Sequence, residues 1–206
     1  TASDPYMARD KILEYEPDVM TLDVEMPRMS GIEFLKRLMP QYPIPVIMVS
    51  AVSENVFDAL HAGAVDFVTK PDYRVEGGME SFIQDLIFKV KIATTARVTC
   101  QREYANSAAV AKCSKSSLRD SIIAIGASTG GAQAVQSIIK TFSADMPGTV
   151  VVQHMPPVFT EMYAARLNNS CTVEVKEAKT GDRILPGRVL IAPGDYHIRI
   201  KRVNQE

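Results

Sequence analysis

Residues 18–23 read Asp18-Val19-Met20-Thr21-Leu22-Asp23, a short apolar run closed by a carboxylate. Such a run suits a strand buried in a parallel sheet and ending in a polar loop. The pattern recurs at Pro45-Val46-Ile47-Met48-Val49-Ser50 and at Val65-Asp66-Phe67-Val68-Thr69-Lys70. Amphipathic stretches lie between these runs, around 32–39 and 56–61, so strand and helix alternate. Alternation predicts right-handed βαβ units on a parallel sheet. A longer amphipathic stretch over 79–91 follows Lys70-Pro71 and is expected to close this first domain as its last helix.

The character changes beyond that helix. Residues 94–120 are rich in Ala, Ser, Thr and Lys and carry no sustained apolar period, the composition of a linker. A second series starts with Ser121-Ile122-Ile123-Ala124-Ile125-Gly126, continues through a helix over 132–142, and returns in Thr149-Val150-Val151-Val152-Gln153-His154. Val189-Leu190-Ile191-Ala192-Pro193-Gly194 adds a further strand and turn. The expected organisation is therefore α/β throughout: a first domain over 1–93, a linker over 94–120 and a second domain over 121–206.

Composition excludes more than it selects. With 206 residues, 46% of them hydrophobic and 23% charged, the chain has material for one large core or two small ones. A net charge of -1 gives no basic field for nucleic acid phosphates or an anionic membrane surface, so neither is an expected partner. No apolar run approaches the roughly 18 residues of a spanning helix. Thr1-Ala2-Ser3-Asp4-Pro5 is not a basic-then-apolar export signal, and a cytoplasmic location is expected. Cys100, Cys113 and Cys171 have neither an even count nor metal-ligand spacing and are expected to be free thiols.

In a parallel sheet all the strand ends of one sense lie on one edge, where ligands of open α/β folds bind. The first series thus delivers Asp23, Ser50 and Lys70 to a common edge. A carboxylate there can attack a phosphoryl donor, while a hydroxyl and an ammonium hold the phosphoryl oxygens and Mg²⁺ neutralises the remaining charge. Taken singly, an Asp after a strand is a turn residue and a Lys before Pro a solvated one. Together, Leu22-Asp23-Val24-Glu25-Met26-Pro27-Arg28-Met29-Ser30-Gly31, Val49-Ser50-Ala51 and Phe67-Val68-Thr69-Lys70-Pro71 resemble the response-regulator receiver family, whose fold is flavodoxin-like. The resemblance implies that Asp23 is the phosphoacceptor and that Ser50 and Lys70 contact the phosphoryl group. It also implies that the Glu25 backbone carbonyl joins Asp23 in holding Mg²⁺, and that Phe67 is the aromatic that repacks on phosphorylation. Ser30 stands where many receivers have Asp, and the acidic pair that follows a receiver's first strand is absent. Thr1 is accordingly expected to lie partway into the domain, near its second helix.

The second series carries Gly126-Ala127-Ser128-Thr129-Gly130 between a strand and a helix, the context of a nucleophile on a tight turn. Ser128 would stand near a helix N-terminus, where the Thr129 backbone N–H and the helix dipole can stabilise an oxyanion. The chain has three histidines. His61 belongs to the first domain. His154 ends the next predicted strand, so parallel pairing brings it beside Ser128 as general base. The rival reading is a dinucleotide site, as in an oxidoreductase. Against it, the glycines run G-x-x-x-G-G, and Gln153-His154 stands where an acidic ribose ligand is needed.

Ile123-Ala124-Ile125-Gly126-Ala127-Ser128-Thr129-Gly130-Gly131, Gln153-His154-Met155-Pro156-Pro157 and Ile191-Ala192-Pro193-Gly194-Asp195-Tyr196-His197 resemble the catalytic domain of the chemotaxis protein-glutamate methylesterases, the CheB family. The resemblance covers nearly the whole chain, because the receiver motifs precede the esterase motifs in the order that family uses. It implies hydrolysis of glutamyl methyl esters, and deamidation of glutamines, on chemoreceptors. It also implies a histidine kinase as phosphodonor, no cofactor for the esterase, and a receiver that inhibits the esterase until it is phosphorylated. Association with membranes would come only through the receptors. The family's third catalytic residue, an Asp far downstream, has no counterpart here. Asp182 and Asp195 are more simply turn residues beside glycine, and His197 a loop residue. Both domains are thus expected to be partial and the isolated chain close to inactive. A competing reading keeps the receiver but makes the second domain a non-enzymatic binding module, with Ser128 packed in a tight turn.

Overall fold

The structure is a computed structural model that describes residues 1–51, 55–74, 77–96, 98 and 121–202. It divides into two compact units, Thr1–Ser107 and Ala108–Glu206.

In the first unit, helix α1 (Pro5–Tyr15) starts where Asp4 accepts hydrogen bonds from the Tyr6 and Met7 N–H groups, with Pro5 at the first helical position. Strand β1 (Met20–Asp23) follows, then α2 (Gly31–Leu38), which Ser30 caps by accepting from the Glu33 N–H at 3.2 Å. Next come β2 (Val46–Ser50), α3 (Asn55–His61), β3 (Asp66–Thr69) and α4 (Gly78–Ala93). The three strands are parallel in the order β1-β2-β3, with Asp23 opposite Val49 and Ser50 opposite Thr69. Central β2 explains the continuous apolar run: Val46, Ile47 and Met48 are all fully buried, because helices cover both faces. Helix α4 packs Ala93, Val90, Leu86 and Phe82 against Ile47 and Val68.

In the second unit, β4 (Ile123–Ala127) leads into α5 (Gly131–Ile139) and β5 (Thr149–Gln153). Helix α6 (Phe159–Ser170), β6 (Glu174–Glu177) and β7 (Arg188–Ile191) complete it. All four strands are parallel in the order β4-β5-β7-β6. Val150, Val151, Val189, Leu190 and Ile191 form the buried sheet interior, with Val135 and Ile139 of α5 and Phe159, Tyr163 and Leu167 of α6 in the same core.

The observed elements shift the expected ones by a residue or two, and α5 stops at Ile139 because the next residues close tight turns back onto Ile138 and Ile139. The expected linker lies outside the described residues over 99–120; only 94–96 and 98 are described, just past the end of α4. Cys171 is a free thiol, and Cys100 and Cys113 lie outside the described residues.

Candidate functional sites at two sets of strand ends

Asp23 and Lys70 meet at the edge predicted for them. Asp23 is the last residue of β1 and Lys70 the first after β3, and the Lys70 Nζ lies 2.7 Å from Asp23 Oδ2. Both side chains are over a third exposed, so a ligand can reach them. The other carboxylate oxygen accepts from the Glu25 N–H at 3.0 Å, which folds the loop after β1 around the acid. Ser50 ends β2 between them, is buried, and accepts through its backbone carbonyl from the Lys70 N–H at 2.7 Å. The three groups are thus fixed by three parallel strand ends rather than by a flexible loop.

Phe67 is 1% exposed on β3. The Lys89 ammonium of α4 lies 5.3 Å from its ring centroid and donates to its carbonyl oxygen at 2.6 Å. The same ammonium lies 3.3 Å from Asp85 and 3.8 Å from Asp66. Lys89 is 3% exposed, so a buried cation ties α4 to the strand that carries Lys70. No motif in the sequence marks Lys89; only a lysine among apolar neighbours on the inward side of a helix hints at it.

For Mg²⁺, the residues at hand are the Asp23 carboxylate and the Glu25 carbonyl. Among the described residues no group of three or more His, Cys, Asp or Glu side chains is placed to hold a metal ion. The oxygen set a hard cation needs is therefore only partly supplied here, and the Asp23 carboxylate is already engaged by Lys70.

In the second unit, Ala127 and Gln153 are register partners at the ends of β4 and β5. Ser128 and His154 are each the next residue along, on strands roughly 4.8 Å apart. The His154 N–H donates to the Ala127 carbonyl at 3.0 Å, which extends the ladder to the histidine. Both Ser128 and His154 are exposed. The Gly131 N–H donates to the Ser128 carbonyl at 2.7 Å, closing the turn, and Gly130 takes the helix N-cap with φ 75°. Thr129 lies in that turn immediately before the α5 N-terminus, and its hydroxyl is buried without a hydrogen-bond partner.

Two features of this site escape sequence reasoning. Gln153 donates from its side-chain amide to the Ser128 carbonyl at 3.0 Å. The turn after β7 also lies against the turn after β5: a Cβ on Gly194 would stand 2.4 Å from the Pro157 nitrogen. Thr160 holds that turn by accepting from the Gly194 N–H at 3.0 Å while its hydroxyl donates to Glu177. Of the two loose carboxylates, Asp182 is bound to Lys176 at 2.8 Å and to the Lys179 N–H at 2.7 Å, and Asp195 sits in a left-handed turn with φ 61°. His197 is exposed in the segment beyond it.

The two constellations define a class: a receiver-type sheet with an acid-lysine pair at its edge, followed by an α/β unit with a serine elbow beside a strand-end histidine. The comparisons with known proteins make it particular. The model of the response regulator receiver domain matches residues 1–76, and that of the CheB methylesterase matches residues 123–206. The first of these segments is thus similar to the receiver family and the second to the CheB methylesterase family. It is 58% identical over 202 residues to a protein-glutamate methylesterase/protein-glutamine glutaminase of Syntrophomonas wolfei, a match that takes in 98% of this chain and 59% of that one. A protein of the same name from Syntrophotalea carbinolica is 52% identical over 211 residues, covering 98% of this chain and 60% of the other. The catalytic domain of the Thermotoga maritima CheB methylesterase, a solved structure, is 46% identical at a TM-score of 0.39, over 40% of this chain and 44% of that one. The chain thus spans about 59% of the length of the first of these relatives.

Proposed function

We propose that the protein is a chemotaxis response regulator that hydrolyses glutamyl methyl esters, and deamidates glutamines, on chemoreceptors. The observation that carries this reading is the placement of Ser128 and His154 one residue beyond the paired ends of β4 and β5.

From that placement the chemistry is acyl transfer. Ser128 Oγ bonds to the acyl carbon as its proton passes to His154, and the developing oxyanion is met by the Thr129 N–H at the positive end of α5. Collapse expels methanol, or ammonia from a glutamine, with the proton that His154 returns. Water, deprotonated by His154, then attacks the acyl carbon and frees glutamate and Ser128. Such proton transfers are worth about 10²- to 10⁴-fold in rate. The oxyanion site adds a comparable factor, about 10²- to 10³-fold per donor.

In the first unit, Asp23 is the phosphoacceptor, a histidine kinase the phosphodonor, and Ser50 and Lys70 the groups that hold the phosphoryl oxygens. Mg²⁺, bound through Asp23 and the Glu25 carbonyl together with groups beyond these, would offset charge on the transferring phosphoryl group. Phe67 is the aromatic that repacks. The domains are 1–93 for the receiver and 121–206 for the esterase, with 94–120 between them, and phosphorylation raises esterase activity. The site of action is the cytoplasm; among the described residues no helix is long and apolar enough to cross a membrane.

The test is methanol release from methylated receptor membranes by the full-length protein, meaning the chain extended at both ends to its relatives' length, beside its Ser128→Ala variant. Release that Ser128→Ala abolishes supports the reading. Release that survives the substitution overturns the esterase assignment.

A further inference from the structure

Gln153 ends β5 at a position that the strand turns inward: Val151 is buried, Val152 is half exposed, and Gln153 is 7% exposed. A polar side chain at an inward position costs free energy unless it finds partners there. Its partners are the site itself. The amide Nε2 donates to the Ser128 carbonyl at 3.0 Å and, more weakly, to the His154 carbonyl at 3.4 Å.

Chemistry fixes which end of the amide faces them, because the reverse orientation would press its oxygen against two carbonyl oxygens. The amide oxygen Oε1 is buried over Gly131 with no hydrogen-bond partner, so the donor end alone ties the side chain to the site. A Cβ at Gly131 would stand 2.9 Å from Gln153 Oε1 and 2.6 Å from the Ala127 Cβ, so the side chain lies where it does because residue 131 has none.

We propose that Gln153 is a positioning residue: it staples the turn of Ser128 to the turn of His154 and so sets the approach of the serine hydroxyl to its base. The inference rests on the esterase reading above and adds a residue to it. Gln153 touches no substrate in this scheme; it acts through the two backbone carbonyls, and a misplacement of about 1 Å at a reacting group can cost on the order of 10²-fold in rate.

The experiment compares Gln153→Met, Gln153→Glu and Ser128→Ala in the full-length protein by methanol release from methylated receptor membranes. In Gln153→Met, which keeps volume and loses the donor, kcat is expected to fall about 10- to 100-fold with KM for the receptors unchanged. In Gln153→Glu the carboxylate cannot donate but the neutral acid can. Its kcat as a fraction of the wild-type value should therefore climb as pH is lowered, while the Gln153→Met fraction stays flat. A packing role alone would leave kcat in the volume-conserving Gln153→Met near the wild-type value. An unchanged kcat in Gln153→Met, or a flat fraction in Gln153→Glu, overturns the proposal while a silent Ser128→Ala keeps the esterase reading intact. Methanol release by Ser128→Ala overturns both.

Discussion

Asp182 has the residue type that could orient a catalytic histidine, and its surroundings already occupy it. Its carboxyl is held below the usual carboxylate range first by the hydrogen bond from Lys176 and then by the Lys179 N–H. A carboxyl whose folded pKa is depressed lends stability that is fully present above its unfolded value, about 3.9, and is lost as pH falls through the lower folded value. Asp182→Asn should therefore lower the urea midpoint at pH 7, and the gap from wild type should shrink as pH drops below about 4. Because the residue is structural, kcat for methanol release by the full-length protein should be unchanged at pH 7 in this variant. The Asp23–Lys70 pair is of the opposite kind. Half-exposed pairs contribute only about 0.2–1 kcal/mol, so its close geometry says more about poised chemistry than about stability.

At the scale of single elements, α4 depends on Lys89. Removing this buried ammonium takes a donor from the Phe67 carbonyl and an ion-pair partner from Asp66 and Asp85. Lys89→Met should cost about 1–3 kcal/mol, read from the urea midpoint of the first unit, and Lys89→Arg should recover little because a planar guanidinium fork does not reproduce an ammonium's donors to the Phe67 carbonyl, Asp66 and Asp85. The strand ends were legible because each is announced locally by an apolar run and terminal polar residues: Leu22 before Asp23, Val49 before Ser50, Val68 before Thr69 and Lys70. Helix α6 is written in the sequence as Phe159, Tyr163 and Leu167 at four-residue spacing, though no motif drew attention to it. Strand β6 could not be found that way, since Glu174-Val175-Lys176-Glu177 has a single apolar residue. The placement of β7 between β5 and β6 is a non-local pairing that no local pattern encodes. Gln153 is the instructive case. Once β5 is in phase, the inward position of a glutamine among valines is the signal, but that phase is known only from the register.

For the whole molecule, the linker-like composition falls between the end of α4 and the start of β4. Arg97, Arg102, Lys112, Lys115 and Arg119 all fall in that interval. Brief trypsin treatment should cut there first and leave two resistant fragments, one ending near 97 and one starting near 120, as mass spectrometry would show. Early cleavage at Lys36 or Arg37 in α2, or at Arg166 in α6, instead would mean that one of the units does not hold its core. The sheet order of the second unit also sets a timetable for synthesis. Strand β5 can pair with β4 as soon as both leave the ribosome, but its other edge must wait for β7, whose Val189 is the partner of Thr149 forty residues earlier. At about 5–20 residues per second that is a wait of roughly 2–8 s. During it β5, with Val150, Val151 and Val152 at its centre, stands with one ladder edge bare, so slowing translation between β5 and β7 should lengthen the period in which a nascent chain needs a chaperone.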